Sequence, residues 1–503
     1  MRKIVLSLLC VLLLVSTGNA YVSDDMRGVW VASVYNLDYP SSGTTDSWTL
    51  KQEAIEILDN VHSMGLNAVF LQVRPSADAL YASEIFPWSK YLTGQNGLVP
   101  QNGFDPLAFW VEEAHKRGIE LHAWINPYRI TKNGDSEFAA ISESSPAKRY
   151  PEYVVRYSDG NYYFNPGIPE VRKLVVEGAL EIVRRYDVDG IHMDDYFYPG
   201  TSFEDAATYQ KYGAGLSIED WRRNNVDLLI QELNTELHKA DKDISFGISP
   251  FGIWANSKNN PLGSNTNGTE SYSSHYADTR KWALNEWIDY IAPQIYWEVG
   301  HKSADYKTLF DWWTNTLKDS KTKLYIGMAD YKTVGAGKSS VWYSGKEIKR
   351  QLTMNNTAKI VSGEIHYRYS SLISESSLSS LLKEEYKDRD IVIYVNGKKL
   401  LSDQKPLLIA GRTMVPLRAI FEALQANVDW EQASQTVTAR RGSDLLSLKV
   451  GEKEMQVNGT TKKLDVSARL VNGRTLIPLR AVSEALNSVV EWYGAYQTIL
   501  INL

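Results

Sequence analysis

The sequence contains very little cysteine and has no strong excess of either charge. Its 503 residues include 1 cysteine, Cys10, and 8 histidines, none of which stand in a His-x-His pair. A disulfide framework and a thiolate metal site are therefore excluded, and a catalytic metal held by several histidines is disfavoured. The formal net charge of −6 gives no basic surface of the kind that binds nucleic acid. We predict a protein without a metal or other cofactor and without a nucleic-acid partner.

Long hydrophobic runs are also missing, except for one at the N-terminus. Arg2 and Lys3 precede an apolar stretch over residues 4–15, and Gly18-Asn19-Ala20 follows as a small-residue cleavage site. This pattern is typical of a secretory signal peptide, and the stretch is too short for a stable membrane span. We predict that residues 1–20 are a signal peptide cleaved near Ala20. Because Cys10 leaves with it, the exported protein has no thiol, which suits secretion or a bacterial cell envelope.

Eight short apolar segments recur between residues 21 and 388, and a helical pattern follows each of them. The predicted strands are residues 28–33, 68–74, 121–126, 190–196, 245–249, 290–298, 324–328 and 364–368. Glycine follows the first two helical patterns, at Gly65 and Gly118, as expected at helix C-termini. Eight alternations of strand and helix predict an α/β protein with a (β/α)8 TIM barrel over residues 21–388.

Polar and aromatic residues of the predicted strands fall mostly on one face. Successive side chains on a strand point to opposite faces, so His192 and Asp194 share a face of the fourth strand. The same alternation groups Phe70, Gln72 and Arg74; His122, Trp124 and Asn126; Gln294, Tyr296 and Glu298; and Glu364, His366 and Arg368. We expect these residues to face the barrel axis. A carboxylate at the C-terminal end of a barrel strand indicates chemistry, so the barrel mouth is predicted to be the site.

The chain after residue 388 contains an internal repeat. Val395-Asn396-Gly397 recurs as Val457-Asn458-Gly459, and residues 411–419 recur at 473–481, always 62 positions later. This duplication without insertions predicts a smaller α+β C-terminal domain over residues 389–503, made of two tandem repeats. The repeats span residues 391–450 and 453–503 and are rich in Lys and Arg. Attachment to the cell wall is a possible role for them.

Six phrases of the barrel region resemble the bacterial glycosyl hydrolase-like family ten. They are Arg27-Gly28-Val29-Trp30-Val31, Gln72-Val73-Arg74-Pro75, Phe86-Pro87-Trp88-Ser89, Trp124-Ile125-Asn126-Pro127-Tyr128, Asp194-Asp195-Tyr196-Phe197-Tyr198-Pro199 and Ala292-Pro293-Gln294-Ile295-Tyr296-Trp297. The resemblance covers residues 25–368 and implies an exported relative of retaining glycosidases that cuts peptidoglycan glycan strands lacking stem peptides. The tail resembles the repeat named for the N-terminal domain of copper amine oxidases. Copper is not implied, because residues 390–503 contain no His and no Cys.

Glycosidases need two carboxyl groups beside the scissile bond. A related barrel superfamily carries its nucleophilic aspartate at the end of strand four, two residues after a basic residue, as His192 and Asp194 stand here. Asp194 is therefore the expected nucleophile. Glu298 is the expected general acid, because a carboxyl against the Trp297 indole in a dry cleft has a raised pKa. Asp78, in the loop after the second strand, is the alternative acid.

The remaining polar and aromatic residues of the predicted mouth are expected to contact sugar. Planar donors suit sugar hydroxyls, acetamido groups or a lactyl carboxylate, and aromatic rings stack on sugar rings. The predicted substrate-binding residues are Arg74, Asn126, His192, Asp195, Tyr196, Gln294, Tyr296, Trp297, Trp30 and Trp124. Asp195 has the opposite parity and is expected to support Asp194. We predict a secreted glycoside hydrolase that cleaves O-glycosyl bonds of a cell-envelope polysaccharide; the alternative is a non-catalytic glycan-binding or surface-assembly protein on the same barrel.

Overall fold

The computed structural model describes residues 25–387 and 390–503, so the predicted signal peptide lies outside the described residues. Eight parallel strands form a closed barrel in chain order. They are β1 (Met26–Val31), β2 (Ala68–Arg74), β3 (Glu120–Ile125), β4 (Gly190–Met193), β5 (Ser245–Ile248), β6 (Tyr290–Ile291), β7 (Lys323–Met328) and β8 (Val361–His366). The predicted TIM barrel is confirmed.

One principal helix follows each strand. The helices are α1 (Ser47–Ser63), α2 (Pro106–Lys116), α3 (Pro169–Arg185), α4 (Ile218–Ala240), α5 (Thr279–Leu284), α6 (Tyr306–Leu317), α7 (Lys346–Asn355) and α8 (Ser376–Glu385). Local sequence explains several of the starts, since the carboxylates of Asp46, Asp105 and Asp305 each accept a backbone N–H of the first turn. Among the described residues, no helix is long and apolar enough to cross a membrane.

The loops above the strand ends carry short additional elements. These are the helices Lys90–Thr93, Gly134–Ala139, Pro146–Arg149, Ala206–Tyr212, Ser271–Ser274 and Tyr369–Ser374, and a hairpin of Val154–Arg156 with Tyr162–Phe164. The first two helices stand after β2 and β3. They matter below because they border a cleft.

Two side-chain layers meet at the barrel wall. Trp30, Phe70, Trp124, Tyr290 and Ile365 pack together inside the barrel. The alternate residues of the same strands join the larger apolar core that includes the helices. Because the axis is filled by packed side chains, a site can form only at the strand ends.

A register shift between Gln72 and Arg74 interrupts the alternation of β2. Gln72 stays on the inner side and bonds to Asn126, whereas Arg74 lies against Gly178 of α3. A Cβ at position 178 would come within 2.4 Å of Arg74 Nη1, so this close approach requires glycine. The prediction that Arg74 shares the inner face with Gln72 is therefore wrong, because the bulge turns its side chain outward.

A second register shift lies in β8 between Val361 and Glu364, where Gly363 adopts a φ of 125°. Ile365 consequently belongs to the inner layer. Glu364 instead accepts a hydrogen bond from Asn355 of α7, at 3.1 Å. The prediction that Glu364 and His366 face the axis is wrong for this reason.

The described chain forms two compact units, residues 25–400 with 487–503, and residues 401–486. The larger unit therefore includes both ends of the repeat region. Val392–Val395, Lys398–Lys399, Val489–Tyr493 and Thr498–Asn502 form one four-stranded sheet. Tyr394 of this sheet stacks on His115 of α2, with 4.2 Å between ring centroids.

The smaller unit contains two sheets and two short helices. One sheet holds Leu407–Ile409, Arg412–Pro416, Arg469–Val471 and Arg474–Pro478; the other holds Asn427–Glu431, Thr436–Arg441, Asp444–Lys449, Glu454–Val457 and Thr460–Lys463; the helices are Leu417–Ala423 and Leu479–Ala485. The C-terminal region is thus rich in β-structure.

The two repeats are related by a local twofold axis. Val415 pairs with Ile477, its equivalent 62 positions later. Arg412 forms an ion pair with Asp465 at 2.6 Å, and the equivalent Arg474 pairs with Asp403. Each repeat therefore supplies one partner of each ion pair.

Candidate active site

The C-terminal end of β4 places Asp194 at the barrel mouth. The strand ends at Met193, and Asp194 is only 6% exposed. Its Oδ2 accepts a hydrogen bond of 2.6 Å from Asn126 Nδ2, and its Oδ1 accepts the backbone N–H of Tyr196 at 3.3 Å. The carboxylate is thus held in one orientation by β3 and by its own loop.

A chain of amides fixes Asn126. The backbone N–H groups of Ser33 and Val34 donate to Gln72 Oε1, at 3.1 and 3.0 Å. Gln72 Nε2 then donates to Asn126 Oδ1 at 2.7 Å. Since the Asn126 oxygen receives these protons, its nitrogen must face Asp194. These hydrogen bonds connect the backbone just after β1 to the Asp194 carboxylate just after β4.

Arg129 supplies positive charge at this point, and sequence reasoning missed it. Its Nη2 donates to Asn126 Oδ1 at 2.7 Å and its Nε to the Pro75 carbonyl at 2.7 Å. The residue is 7% exposed. Arg129 directly follows the Trp124–Tyr128 phrase. Its position next to a phrase that resembles the family was the signal in the sequence that could have identified it.

Asp194 and Asp195 form a buried carboxyl pair. Burial raises the pKa of Asp194, while the Arg129 cation and the Asn126 hydrogen bond oppose that rise. Burial and the neighbouring charge of Asp194 raise the pKa of Asp195 well above its ordinary value, against a hydrogen bond from Gln294. Two close carboxyl groups cannot both ionise easily. Asp195 is therefore the carboxyl group of the pair that more readily keeps a proton.

His192 lies beneath this pair and is completely buried. The indole N–H of Trp30 donates to its Nε2 at 3.1 Å, so the ring proton is on Nδ1, which donates to Tyr290 Oη at 3.1 Å. Burial lowers the pKa of His192 well below its ordinary value. The neutral His192 ring therefore has a structural role, because its hydrogen bonds to Trp30 and Tyr290 hold the packed residues below the carboxyl pair.

Four residues predicted to touch sugar are buried. His192 is 0%, Trp30 2% and Trp124 5% exposed, and the two indoles pack inside the barrel. Arg74 is 1% exposed, with its guanidinium 3.8 Å from the centre of the Phe86 ring. Arg74, Trp30 and His192 are thus enclosed by neighbouring side chains, whereas Trp124 is about as exposed as Asp194 and Asp195.

The rim carries the accessible aromatic residues. Tyr196 is 46% exposed and lies under the Arg129 guanidinium, which is 6.0 Å from its ring centre. Tyr296 and Tyr367 are half-buried, with 5.8 Å between ring centroids. Burial raises the pKa of Tyr296 well above its ordinary value, and the neighbouring Tyr367 and Asp195 add to the rise. These rings border the side of the mouth near the carboxyl pair.

Glu298 and Trp297 lie further along the same loop. Both are half-buried. The Trp297 ring packs against the outer core, and the Lys332 ammonium near Glu298 donates to the Tyr296 carbonyl at 2.6 Å. Asp78 is 3% exposed, and burial raises its pKa to about 6. Glu298 was expected to be a buried carboxyl group. In the structure Glu298 is half-buried, whereas Asp195 and Asp78 are buried.

The described residues contain no group of three or more His, Cys, Asp or Glu side chains that could hold a metal ion. The site is therefore built from carboxyl, amide, guanidinium and phenol groups. These groups suit acid–base chemistry on a hydroxyl-rich substrate.

A profile of the glycosyl hydrolase-like 10 family matches residues 25–344, which include the residues described for this site except Tyr367 of the rim. The chain belongs to this family. A profile of the copper amine oxidase N-terminal domain matches residues 394–501.

Among characterised proteins, the chain is similar to the glycosyl hydrolase YngK of Bacillus subtilis strain 168. The two are 47% identical over 356 residues, which are 69% of this chain and 69% of that protein. The glycosyl hydrolase DigH of Escherichia coli strain K12 is 40% identical over 367 residues, 69% of this chain and 83% of that protein. The glycoside hydrolase domain of PgaB from Bordetella bronchiseptica superposes with a TM-score of 0.49 and 12% identity, covering 71% of this chain and 98% of that domain.

Proposed function

We propose that this protein is a secreted glycoside hydrolase that cleaves glycan strands of peptidoglycan. The observation that carries the proposal is the buried Asp194–Asp195 pair after β4, in which Asp194 accepts a hydrogen bond from Asn126 and the pKa of Asp195 is raised further than that of Asp194. Glycosidases need one carboxyl group that gives a proton and one that acts as a carboxylate. Family membership supports the glycosidase class. The N-terminal sequence pattern supports export.

In the proposed reaction, Asp195 gives its proton to the glycosidic oxygen as the bond to the anomeric carbon breaks. Asp194 attacks that carbon and forms a glycosyl ester, and water then hydrolyses the ester while Asp195 takes the water proton. Asn126 and Arg129 favour the ionised form of Asp194 against the effect of burial, and burial beside Asp194 raises the pKa of Asp195, which favours its role as proton donor. Glu298 is the alternative acid.

A cation at the barrel mouth supports a glycan without stem peptides as the substrate. Removal of a stem peptide leaves a free lactyl carboxylate on the sugar. The Lys132 ammonium is half-buried. Burial and the neighbouring Arg129 charge lower its pKa. An anion bound beside these two cations would be stabilised by both. The exposed ring of Tyr196 offers a stacking surface for the sugar.

Incubation with peptidoglycan, with and without stem peptides, followed by mass analysis of the released fragments tests the proposal. We expect fragments from the glycan without peptides and none from the Asp194→Asn protein. Asp135→Asn is the matched control, because Asp135 is an exposed carboxylate on the nearby helix Gly134–Ala139. Binding of the glycan without any cleavage would instead favour the non-catalytic glycan-binding alternative.

The acid is identified by comparing Asp195→Asn with Glu298→Gln. Loss of the acid should slow cleavage of natural glycans far more than that of aryl glycosides with good leaving groups. We expect this contrast for Asp195→Asn. If Glu298→Gln shows this contrast instead, Glu298 is the acid.

We also propose that residues 401–486 help to retain the enzyme on the cell wall.

A further inference from the structure

A cleft lies on the β2–β3 side of the barrel mouth, separate from the carboxyl pair. The loop after β2 and the helix Gly134–Ala139 border it. Its cavity volume is about 170 Å³, which is smaller than the sites of drug-sized ligands at about 300–1,000 Å³, so it suits one ring and not a long ligand. Ala77, Ile130 and Ile141 form apolar walls, while Asp78, Lys90 and Glu137 supply charge.

The loop between β2 and the helix Lys90–Thr93 holds Asp78 against the cleft. It folds back on itself, with Ala79 N–H donating to the Pro87 carbonyl at 2.9 Å and Ser89 N–H donating to the Ala79 carbonyl at 2.8 Å. Asp78 is 3% exposed, yet its Oδ1 has no hydrogen-bond partner among the described residues. A buried oxygen without a donor is costly.

Glu137 and Lys90 are held in place on the opposite side. Glu137 Oε2 accepts the backbone N–H groups of Lys132 and Asn133, at 2.9 and 2.7 Å. Its Oε1 lies 2.9 Å from the Lys90 ammonium. An ammonium has three donors, so Lys90 can bind Glu137 and still donate to a ligand.

Two further buried polar atoms lie close to Asp78. In the described part of the chain, neither Ser76 Oγ nor Tyr91 Oη has a hydrogen-bond partner. After burial, the charges of Glu137 and Asp78 raise the pKa of Tyr91, so its hydroxyl is near both carboxylates. Unsatisfied buried atoms are few in native proteins. Of the three residues, Asp78 lines the cleft, so a ligand there can supply the hydrogen bond that its Oδ1 lacks.

We propose that this cleft is a second sugar subsite, which binds a pyranose ring of the same glycan away from the scissile bond. Hydroxyl groups of the ring can donate to Asp78 and accept from Lys90, while the apolar walls cover its C–H face. Arg129 links the two sites, because it bonds to Asn126 and to the Pro75 carbonyl and directly precedes Ile130. The inference rests on the proposed glycan substrate.

Binding of peptidoglycan disaccharide, tetrasaccharide and hexasaccharide without stem peptides tests the subsite. Titration calorimetry would use the full chain carrying Asp194→Asn, which prevents turnover. Asp78→Asn and Lys90→Gln, each added to it, should weaken hexasaccharide binding about tenfold, as expected for one or two lost hydrogen bonds. The disaccharide should lose much less. Asp135→Asn is the matched control, and thermal unfolding checks that each variant is folded.

Two results would overturn the subsite. Unchanged hexasaccharide affinity in both variants would mean that ordered water alone satisfies the orphaned atoms. An equal loss of affinity for all three oligosaccharides would mean that Asp78 and Lys90 act at the site of the Asp194–Asp195 pair. Hydrolysis by the wild-type protein is measured separately. Length-dependent binding without cleavage would thus refute the hydrolase and leave the subsite standing.

Discussion

Asn126→Ala is the most informative single change at this site. The substitution removes the 2.6 Å hydrogen bond to Asp194 Oδ2. It also leaves Gln72 Nε2 and Arg129 Nη2 without their shared acceptor. A hydrogen bond to a charged group contributes about 1.5–3 kcal/mol. We therefore expect kcat/KM to fall about tenfold to 150-fold.

The pH dependence gives the sharper readout. The hydrogen bond from Asn126 favours the ionised form and opposes the rise in the pKa of Asp194 that burial causes, so its loss should raise that pKa further. In the proposed mechanism Asp194 acts as a carboxylate, and the acidic limb of the kcat/KM profile should therefore move to higher pH. Asn133→Ala is the matched control, because Asn133 is exposed and outside the amide chain. A fall in rate with an unmoved acidic limb would refute the reasoning that Asn126 acts through Asp194.

Three further outcomes follow from the same geometry. Lys132→Gln should raise KM about tenfold for glycans with a free lactyl carboxylate but not for chitin oligomers of equal length; equal effects on both would exclude the proposed anion contact. Burial raises the pKa of Glu364 from 4.5 to about 7. Its contribution to the free energy of unfolding is therefore complete below pH 4.5, and about 3 kcal/mol of that free energy is lost as the pH rises through 7. Glu364→Gln should therefore raise Tm relative to wild type at pH 8 and not at pH 4; the same difference at both pH values would contradict the shift. Replacing residues 401–486 by a short Gly-Ser linker should keep activity on soluble glycans and weaken retention on insoluble cell wall. Truncation after residue 387 should also lower Tm, because Tyr394 then no longer stacks on His115. Equal Tm values for the truncated and full-length proteins would refute a stabilising role of that contact.

The boundary of the C-terminal region shows how tertiary contacts can regroup a chain. The prediction from composition divides it at residue 388, where the barrel pattern ends. In the structure, residues 390–400 and 487–503 pair with each other and belong to the compact unit of the barrel. Parallel pairing of Val392–Val395 with Thr498–Asn502 joins segments about a hundred residues apart, which local sequence patterns do not encode.

The sequence alone determined the barrel, its helices and the position of Asp194. Those features depend on local alternation, capping residues and the strand-end position, which act within a few residues of the chain. The 62-residue repeat was likewise visible in the sequence. The reciprocal ion pairs of Arg412 and Arg474 across the repeats were not, because they depend on pairing between strands.

Tertiary structure decided which side chains reach the site and which carboxyl keeps a proton. Bulges in β2 and β8 turned Arg74 and Glu364 outward, because one extra residue reverses the alternation. Arg129 reached Asn126 only through the loop after β3. The raised pKa of Asp195 depends on burial and on the charge of Asp194, and the burial exists only once distant strands have closed the barrel.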